Sequence, residues 1–151
     1  MTRHGKRIVF LGAGGSLVLL GACASMMQHH PDSQAAISAR QNAMKAIGAA
    51  SAPLRSATLD AATARSAGQT INANLKVFAA NLPKGSGPES GLPTKAKSTI
   101  WTGSTAFNNA LNDGLNASAK LAATTGDPTA VKAQANAMMT ACGGCHTNYR
   151  S

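Results

Sequence analysis

The chain is poor in aromatic side chains. They make up 3% of its 151 residues, although hydrophobic residues make up 44%. Ala is the commonest of the hydrophobic residues, 31 of 66, and it favours helices but has little volume to fill a core. With so few rings for base stacking and with its basic residues scattered, the sequence does not favour a nucleic acid as partner. A single domain of this length therefore needs apolar bulk from a source other than its side chains.

Acidic residues are also scarce. The sequence has five Asp and Glu residues against 14 Lys and Arg residues. It shows no paired carboxylates and no nucleophile with a base, so we predict that the chain is not an enzyme. Three basic residues belong to an N-terminal leader; without them, 11 basic residues face 5 acidic ones, a net charge of +6. A modest positive charge of this kind favours acidic protein partners.

The leader is typical of a signal peptide. Arg3, Lys6 and Arg7 precede an apolar run at 8–20 that is too short to span a bilayer as a stable anchor. Residues 1–22 are therefore predicted to direct export, which places the mature protein in the periplasm.

The end of the signal peptide allows two kinds of processing. Leu20-Gly21-Ala22-Cys23 resembles a bacterial lipobox, in which cleavage before Cys23 leaves a lipidated first residue. We predict this lipoprotein form, with the lipid on Cys23 as the only contact with a membrane. The small residues around Cys23 also fit cleavage by the ordinary signal peptidase, which leaves no anchor.

Helical patterns dominate the exported chain. A polar tether at 23–31 precedes the predicted helices, which run from Asp32 to about Ser51, from Leu54 or Asp60 to Leu82, from Ser98 to Gly126, and from Asp127 to near the C-terminus. Gly and Pro at 83–97 predict a long loop without regular structure. There is no β-pattern and no internal repeat. The sequence predicts an all-α domain at 32–151, folded as an antiparallel four-helix bundle.

The last predicted helix carries the sequence Cys142-Gly143-Gly144-Cys145-His146. Cysteines three residues apart can reach the two vinyl groups on one edge of a porphyrin, and His146 lies on the same side, where it can ligate iron. The two glycines let the ring edge approach the backbone. We therefore predict one covalent haem c near the C-terminus of this helix, and its ring supplies the apolar bulk that the side chains lack.

These cysteines have two alternative uses. A disulfide or a thiol-disulfide exchange site is one, but such activity favours a motif at a helix N-terminus in a βαβ setting. A zinc site is the other, and it requires a fourth ligand. Besides His146, the exported chain offers only His29, His30 and Cys23 for that purpose.

Three segments resemble the pattern of one protein family. They are the haem motif followed by Thr147-Asn148-Tyr149-Arg150, the segment Arg40-Gln41-Asn42-Ala43-Met44, and the pair Ile100-Trp101 with Phe107. Together they resemble the class II cytochromes c, the cytochrome c′ family with its low-spin relatives, over nearly all of the exported chain. The chain departs from the family at Ser98-Thr99, where relatives often have Pro-Glu. The four-helix bundle of that family agrees with the fold predicted from periodicity.

The resemblance implies roles for residues of the first helix. It places Met44 on the distal side of the haem, where low-spin members use Met as the sixth iron ligand. On this basis we predict a one-electron carrier with acidic redox partners, iron being held by His146 and Met44. The alternative is a five-coordinate cytochrome c′ that binds nitric oxide or carbon monoxide, with Met44 as packing only. Arg40 and Gln41 are expected on the side of the haem propionates, although a solvated surface Arg is the simpler role. High-spin relatives also imply a homodimer.

Overall fold

The computed structural model describes residues 31–151. Its helices, in chain order, are α1 (Pro31–Ser51), α2 (Ala61–Ala80), α3 (Thr99–Thr102), α4 (Ser104–Ala122) and α5 (Pro128–Tyr149). Short 3-10 turns occupy Ala52–Arg55 and Pro88–Ser90. None of the helices in the described part of the chain is long and apolar enough to cross a membrane. The predicted signal peptide, the cleavage before Cys23, and His29 and His30 in the tether lie outside the described residues.

The four long helices form an antiparallel bundle in chain order. Ser33 in the first turn of α1 donates to the carbonyl of Gly85 (3.0 Å), and Arg40 in the middle of α1 donates to the carbonyl of Asn81 (2.7 Å), both beyond the end of α2. Tyr149 at the end of α5 packs edge-on against Phe107 near the start of α4, with ring centroids 5.1 Å apart. α1 packs on α2, α2 on α4 and α4 on α5, whereas no extended interface of this kind joins α1 to α5. The predicted helical-bundle fold is confirmed.

Apolar side chains from all four long helices form the core. Its largest fully buried members are Ile37, Leu54, Ile71, Leu121, Val131 and Met138. Small residues let α2 and α4 approach closely: a Cβ added at Gly68 would lie 2.9 Å from the Cα atom of Ala122. Because much of the core is Ala and Gly, close approach of the backbones replaces the bulk of large side chains.

Two of the predicted helix starts are capped by a carboxylate. The Asp60 side chain accepts from the backbone N–H of Thr63 at 2.7 Å. The Asp127 side chain accepts from the backbone N–H groups of Thr129 and Ala130, and Pro128 is the first residue of α5. These carboxylates satisfy N–H groups that have no partner within their own helix.

Two other predicted starts differ from the structure. α1 begins at Pro31, so Asp32 lies within its first turn. Ser98 makes no capping hydrogen bond, since its backbone is already helical (φ −57°, ψ −25°) whereas an N-cap residue is extended. The predicted helix from Ser98 to Gly126 is interrupted at Gly103, which separates α3 from α4.

The segment between α2 and α3, residues 81–98, is called the 81–98 loop below. It is more regular than its Gly and Pro content predicts, because Pro88–Ser90 forms a 3-10 turn. Gly85 (φ +82°) and Gly91 (φ +69°) adopt the left-handed conformation that favours glycine. Near its end, Ala96 forms an isolated antiparallel bridge with Arg150. The loop is therefore held against the end of α5.

Candidate functional site

The haem motif lies where the buried stripe of α5 reaches the surface. Along this stripe Val131, Ala135 and Met138 are buried. Further along, Cys142 and Cys145 continue this stripe at helical spacings of four and three, and both are half-buried. The two thiols are not joined in a disulfide. Because Cys142 and Cys145 are three residues apart on a helix, their thiols lie one helical turn apart at the edge of the apolar core, where an apolar ring could contact both.

Burial raises the pKa of both thiols. For Cys142 the nearby charge of Arg55 acts in the opposite direction, and for Cys145 the neighbouring Cys142 raises the pKa further. The net shift of both groups is upward, so the protonated thiol is favoured. Thiol-disulfide exchange requires a reactive thiolate with a lowered pKa. This environment does not favour that alternative.

His146 follows Cys145 directly, with its side chain exposed to solvent. Desolvation and, to a smaller extent, the charge of Arg150 lower the pKa of its imidazole. The neutral ring is therefore favoured at neutral pH, and a neutral imidazole has the nitrogen lone pair that iron requires.

Gly143 and Gly144 have no structural reason within the protein itself. A Cβ atom added at either residue would meet nothing within 4 Å, and both have ordinary helical backbone. Each glycine costs a helix about 1 kcal/mol relative to Ala. The open space beside the two glycines agrees with the predicted approach of a porphyrin edge, and together with the paired thiols this fits a covalently bound haem.

The zinc alternative gains no support from the described residues. Residues 31–151 contain no group of three or more His, Cys, Asp and Glu side chains that could hold a metal ion. The additional donors considered from sequence, His29, His30 and Cys23, lie outside this range.

Met44 lies on α1 at the edge of the apolar core. Its side chain is half-buried and packs against the same cluster that Met139 and Cys142 border from α5. The structure thus places Met44 and the haem motif beside one core, on helices that have no extended interface with each other. Ligation of iron by Met44 remains a prediction.

Arg40 is buried (3% exposed), unlike a solvated surface arginine. It donates to the carbonyl of Asn81 (2.7 Å) and to the hydroxyl and carbonyl oxygens of Ser86 (2.8 and 2.6 Å). Its neighbour Gln41 is exposed and donates to the carbonyl of Pro93 (3.0 Å). The three hydrogen bonds of Arg40 use three of its five guanidinium N–H groups. The pairing of Arg40 and Gln41 with a haem propionate remains a prediction.

Sequence reasoning missed the polar and aromatic contacts that support these residues. Ser86 is fully buried, although it lies in a loop that looked irregular. Phe78, Phe107 and Tyr149 form an aromatic cluster at the end of α5, with centroid separations of 6.4 and 5.1 Å. The helical spacing of Tyr149 from Cys145 does predict its inward position, although not its aromatic partners. No local pattern indicated the burial of Ser86.

Comparison with known proteins gives a consistent result. The pattern of the cytochrome c′ family matches residues 35–150. The cytochrome c′ of Rubrivivax gelatinosus is 27% identical and superposes with a TM-score of 0.69, over 77% of this chain and 94% of that protein. The cytochrome c′ of Shewanella frigidimarina is 23% identical, with a TM-score of 0.70 over 79% and 96% of the two chains. No curated protein sequence matches.

A third solved structure is a nitric oxide complex of a mutant cytochrome c′ from Alcaligenes xylosoxidans. It is 20% identical, with a TM-score of 0.68 over 79% of this chain and 95% of that protein. Proteins of this family carry one covalent haem c, are not enzymes and are typically periplasmic. Because the family pattern covers most of the chain, the protein belongs to the cytochrome c′ family of class II cytochromes c, as predicted, and is a non-enzymatic haem c protein.

Proposed function

We propose that the protein is an exported cytochrome c′ that binds nitric oxide or carbon monoxide at a five-coordinate haem iron. The observation that carries this proposal is the family match over residues 35–150, since its solved relatives include a nitric oxide complex. This relation favours gas binding over the predicted electron carrier with a sixth ligand from Met44.

In this proposal three residues of α5 hold the haem. Cys142 and Cys145 would hold the haem covalently, each through a thioether bond to one vinyl group. His146 supplies a neutral imidazole nitrogen to the iron. Bound haem iron supplies a coordination position for a diatomic gas and one-electron redox chemistry.

Met44 acts in packing in this proposal. Its half-buried thioether lies beside apolar side chains of the core, an environment suited to a flexible Met that fills irregular space. In this role Met44 contributes to the packing on the distal side of the haem and does not bind the iron.

An electron carrier is the second candidate, and the identity of Met44 favours it. A thioether is a good ligand for haem iron, and this side chain is only half-buried. A Met and His pair would make the iron six-coordinate and raise its reduction potential. The net charge of +6 would then suit an acidic redox partner.

Absorption spectra of the purified holoprotein separate the two candidates. For the gas-binding protein we expect a high-spin ferric spectrum and prompt uptake of carbon monoxide by the reduced form. A low-spin ferric spectrum with a weak near-infrared sulfur-to-iron band, and no uptake of carbon monoxide, would overturn the proposal in favour of the carrier.

We also propose that a lipid on Cys23 tethers the exported protein. Leu20-Gly21-Ala22-Cys23 supports this processing, and the mass of the mature N-terminal residue tests it. A fatty-acyl increment is expected in the wild-type protein, and its loss is expected in Cys23→Ser, which should become soluble or stay unprocessed. A mature wild-type protein without the increment refutes the anchor but leaves the haem site unaffected.

A further inference from the structure

Arg40 attaches the first part of the 81–98 loop to α1. Its guanidinium reaches Asn81 and Ser86, which are 41 and 46 residues further along the chain. It also lies over the Trp101 ring, 5.6 Å from the ring centroid. The Trp101 Nε1 atom in turn donates to the carbonyl of Leu82 (3.2 Å). A buried cation, an indole ring and several carbonyl groups thus form one compact anchor.

The last part of the same loop is attached to the end of α5. The backbone N–H of Lys97 donates to the carbonyl of Tyr149 (3.0 Å), and the N–H of Ser151 donates to the carbonyl of Lys95 (2.9 Å). The Lys97 Nζ atom donates to the carbonyl of Thr147 (3.1 Å), next to His146. The loop therefore ends against the backbone that carries the haem motif.

These contacts make the 81–98 loop a direct link between α1 and α5. The two helices share no extended packing interface, so the link is one of the few connections between them. Met44 lies one helical turn after Arg40 on α1, and His146 on α5 directly precedes Thr147, whose carbonyl accepts from Lys97.

We propose that Arg40 is a positioning residue: by anchoring the 81–98 loop, it sets the separation of Met44 from His146 and so the space on the distal side of the haem. This inference rests on the proposed function, in which a gas binds in that space. It assigns Arg40 a role that does not require a haem propionate.

The anchor depends on the shape of arginine. The guanidinium is a rigid planar fork that can donate to several oxygens at once, whereas the ammonium of Lys is a compact point charge. Glu89 contributes a nearby negative charge without replacing these hydrogen bonds. The fit is close, because a Cβ added at Gly87 would lie 2.7 Å from the Trp101 ring.

The test compares Arg40→Lys with Arg65→Lys in the holoprotein. Arg65 on α2 is a matched control, since it is exposed and its Nη1 atom makes a single long contact with the carbonyl of Thr124 (3.3 Å). Hydrogen exchange of amides in the 81–98 loop is measured together with the rate of carbon monoxide binding to the reduced protein. For Arg40→Lys we expect loop exchange faster by about tenfold or more, because hydrogen bonds to a charged group are lost. Carbon monoxide binding should also be faster, while Arg65→Lys matches the wild type in both measurements.

Unchanged loop exchange in Arg40→Lys overturns the proposal, and so does faster exchange with an unchanged rate of gas binding. If Arg40→Lys does not fold, Ser86→Ala serves instead. It removes one acceptor of the guanidinium, together with the hydrogen bond from the Ser86 hydroxyl to the carbonyl of Pro83, and keeps the arginine. Smaller changes in the same direction are expected, and unchanged exchange and gas binding would overturn the proposal. If the wild-type iron is already bonded to Met44, the proposed gas binding fails separately. The positioning role is then tested by weakening of the sulfur-to-iron band in Arg40→Lys.

Discussion

The helices α5 and α1 carry their functional residues in different ways. On α5, Cys142, Cys145 and His146 lie within five consecutive positions, so helical geometry alone brings them together. On α1, Arg40 and Met44 gain their surroundings from elsewhere in the chain, and Arg40 bonds to residues 41 and 46 positions away. A covalent haem motif is therefore a local property of the sequence, whereas the surroundings of Arg40 and Met44 depend on tertiary contacts.

Removing both attachment thiols should have the largest effect. In the Cys142→Ser and Cys145→Ser double variant, no thioether can form, so we expect complete loss of haem from the polypeptide on a denaturing gel stained for haem. Thr140→Ser, a conservative change at an exposed residue of the same helix, should retain full staining. Normal staining of the double variant would contradict attachment at these cysteines.

Replacing a buried residue in the middle of α5 should lower the stability of the fold and leave haem attachment unchanged. Met138 is fully buried (0% exposed), so Met138→Ala is expected to lower the free energy of unfolding by about 2–5 kcal/mol. Urea denaturation followed by circular dichroism measures this loss, and haem staining should persist. The half-buried neighbour Met139 provides the control, since Met139→Ala should cost less. Equal losses for the two variants would mean that the stripe on α5 is wrongly assigned.

The corresponding change on α1 tests the distal side. Met44 is half-buried, so Met44→Ala should lower the free energy of unfolding by roughly 1–2 kcal/mol, less than a fully buried Met. If Met44 only packs, the ferric spectrum should stay high-spin and carbon monoxide should still bind. Conversion from a low-spin to a high-spin spectrum would instead identify Met44 as an iron ligand.

Local patterns predicted most of the fold and the centre of the site. Asp60 and Asp127 preceded helical patterns and do cap α2 and α5. Val131, Ala135 and Met138 lie at helical spacings of four and three, a pattern typical of a buried stripe, and the structure buries all three. Each of these features depends on residues within one or two turns, where helical geometry determines which side chains meet.

Features that depend on distant partners could not be predicted in the same way. The 81–98 loop has a composition typical of irregular structure, yet Ser86 within it is fully buried beside Arg40. Gly103 interrupts a continuous helical pattern and separates α3 from α4. In both cases the outcome is determined by long-range packing, which overrides local propensity.

A change at the start of α2, outside both α1 and α5, should have the smallest effect, and it should depend on pH. The hydrogen bond from the backbone N–H of Thr63, followed by that from the Thr63 side chain, lowers the pKa of Asp60. A carboxyl whose pKa is lowered by folding stabilises the native state above its unfolded pKa of about 3.9, and this contribution is lost as pH falls through the native value.

Asp60→Asn keeps a capping oxygen but does not titrate. The variant should therefore unfold at a slightly lower temperature than the wild type at pH 7, and the difference should shrink towards about pH 3, below the unfolded pKa. Thermal unfolding at both pH values measures this difference, and the haem spectrum at pH 7 should be unchanged. A difference independent of pH would contradict the role of the charged cap, and a change in the spectrum would show that the haem site also depends on the start of α2.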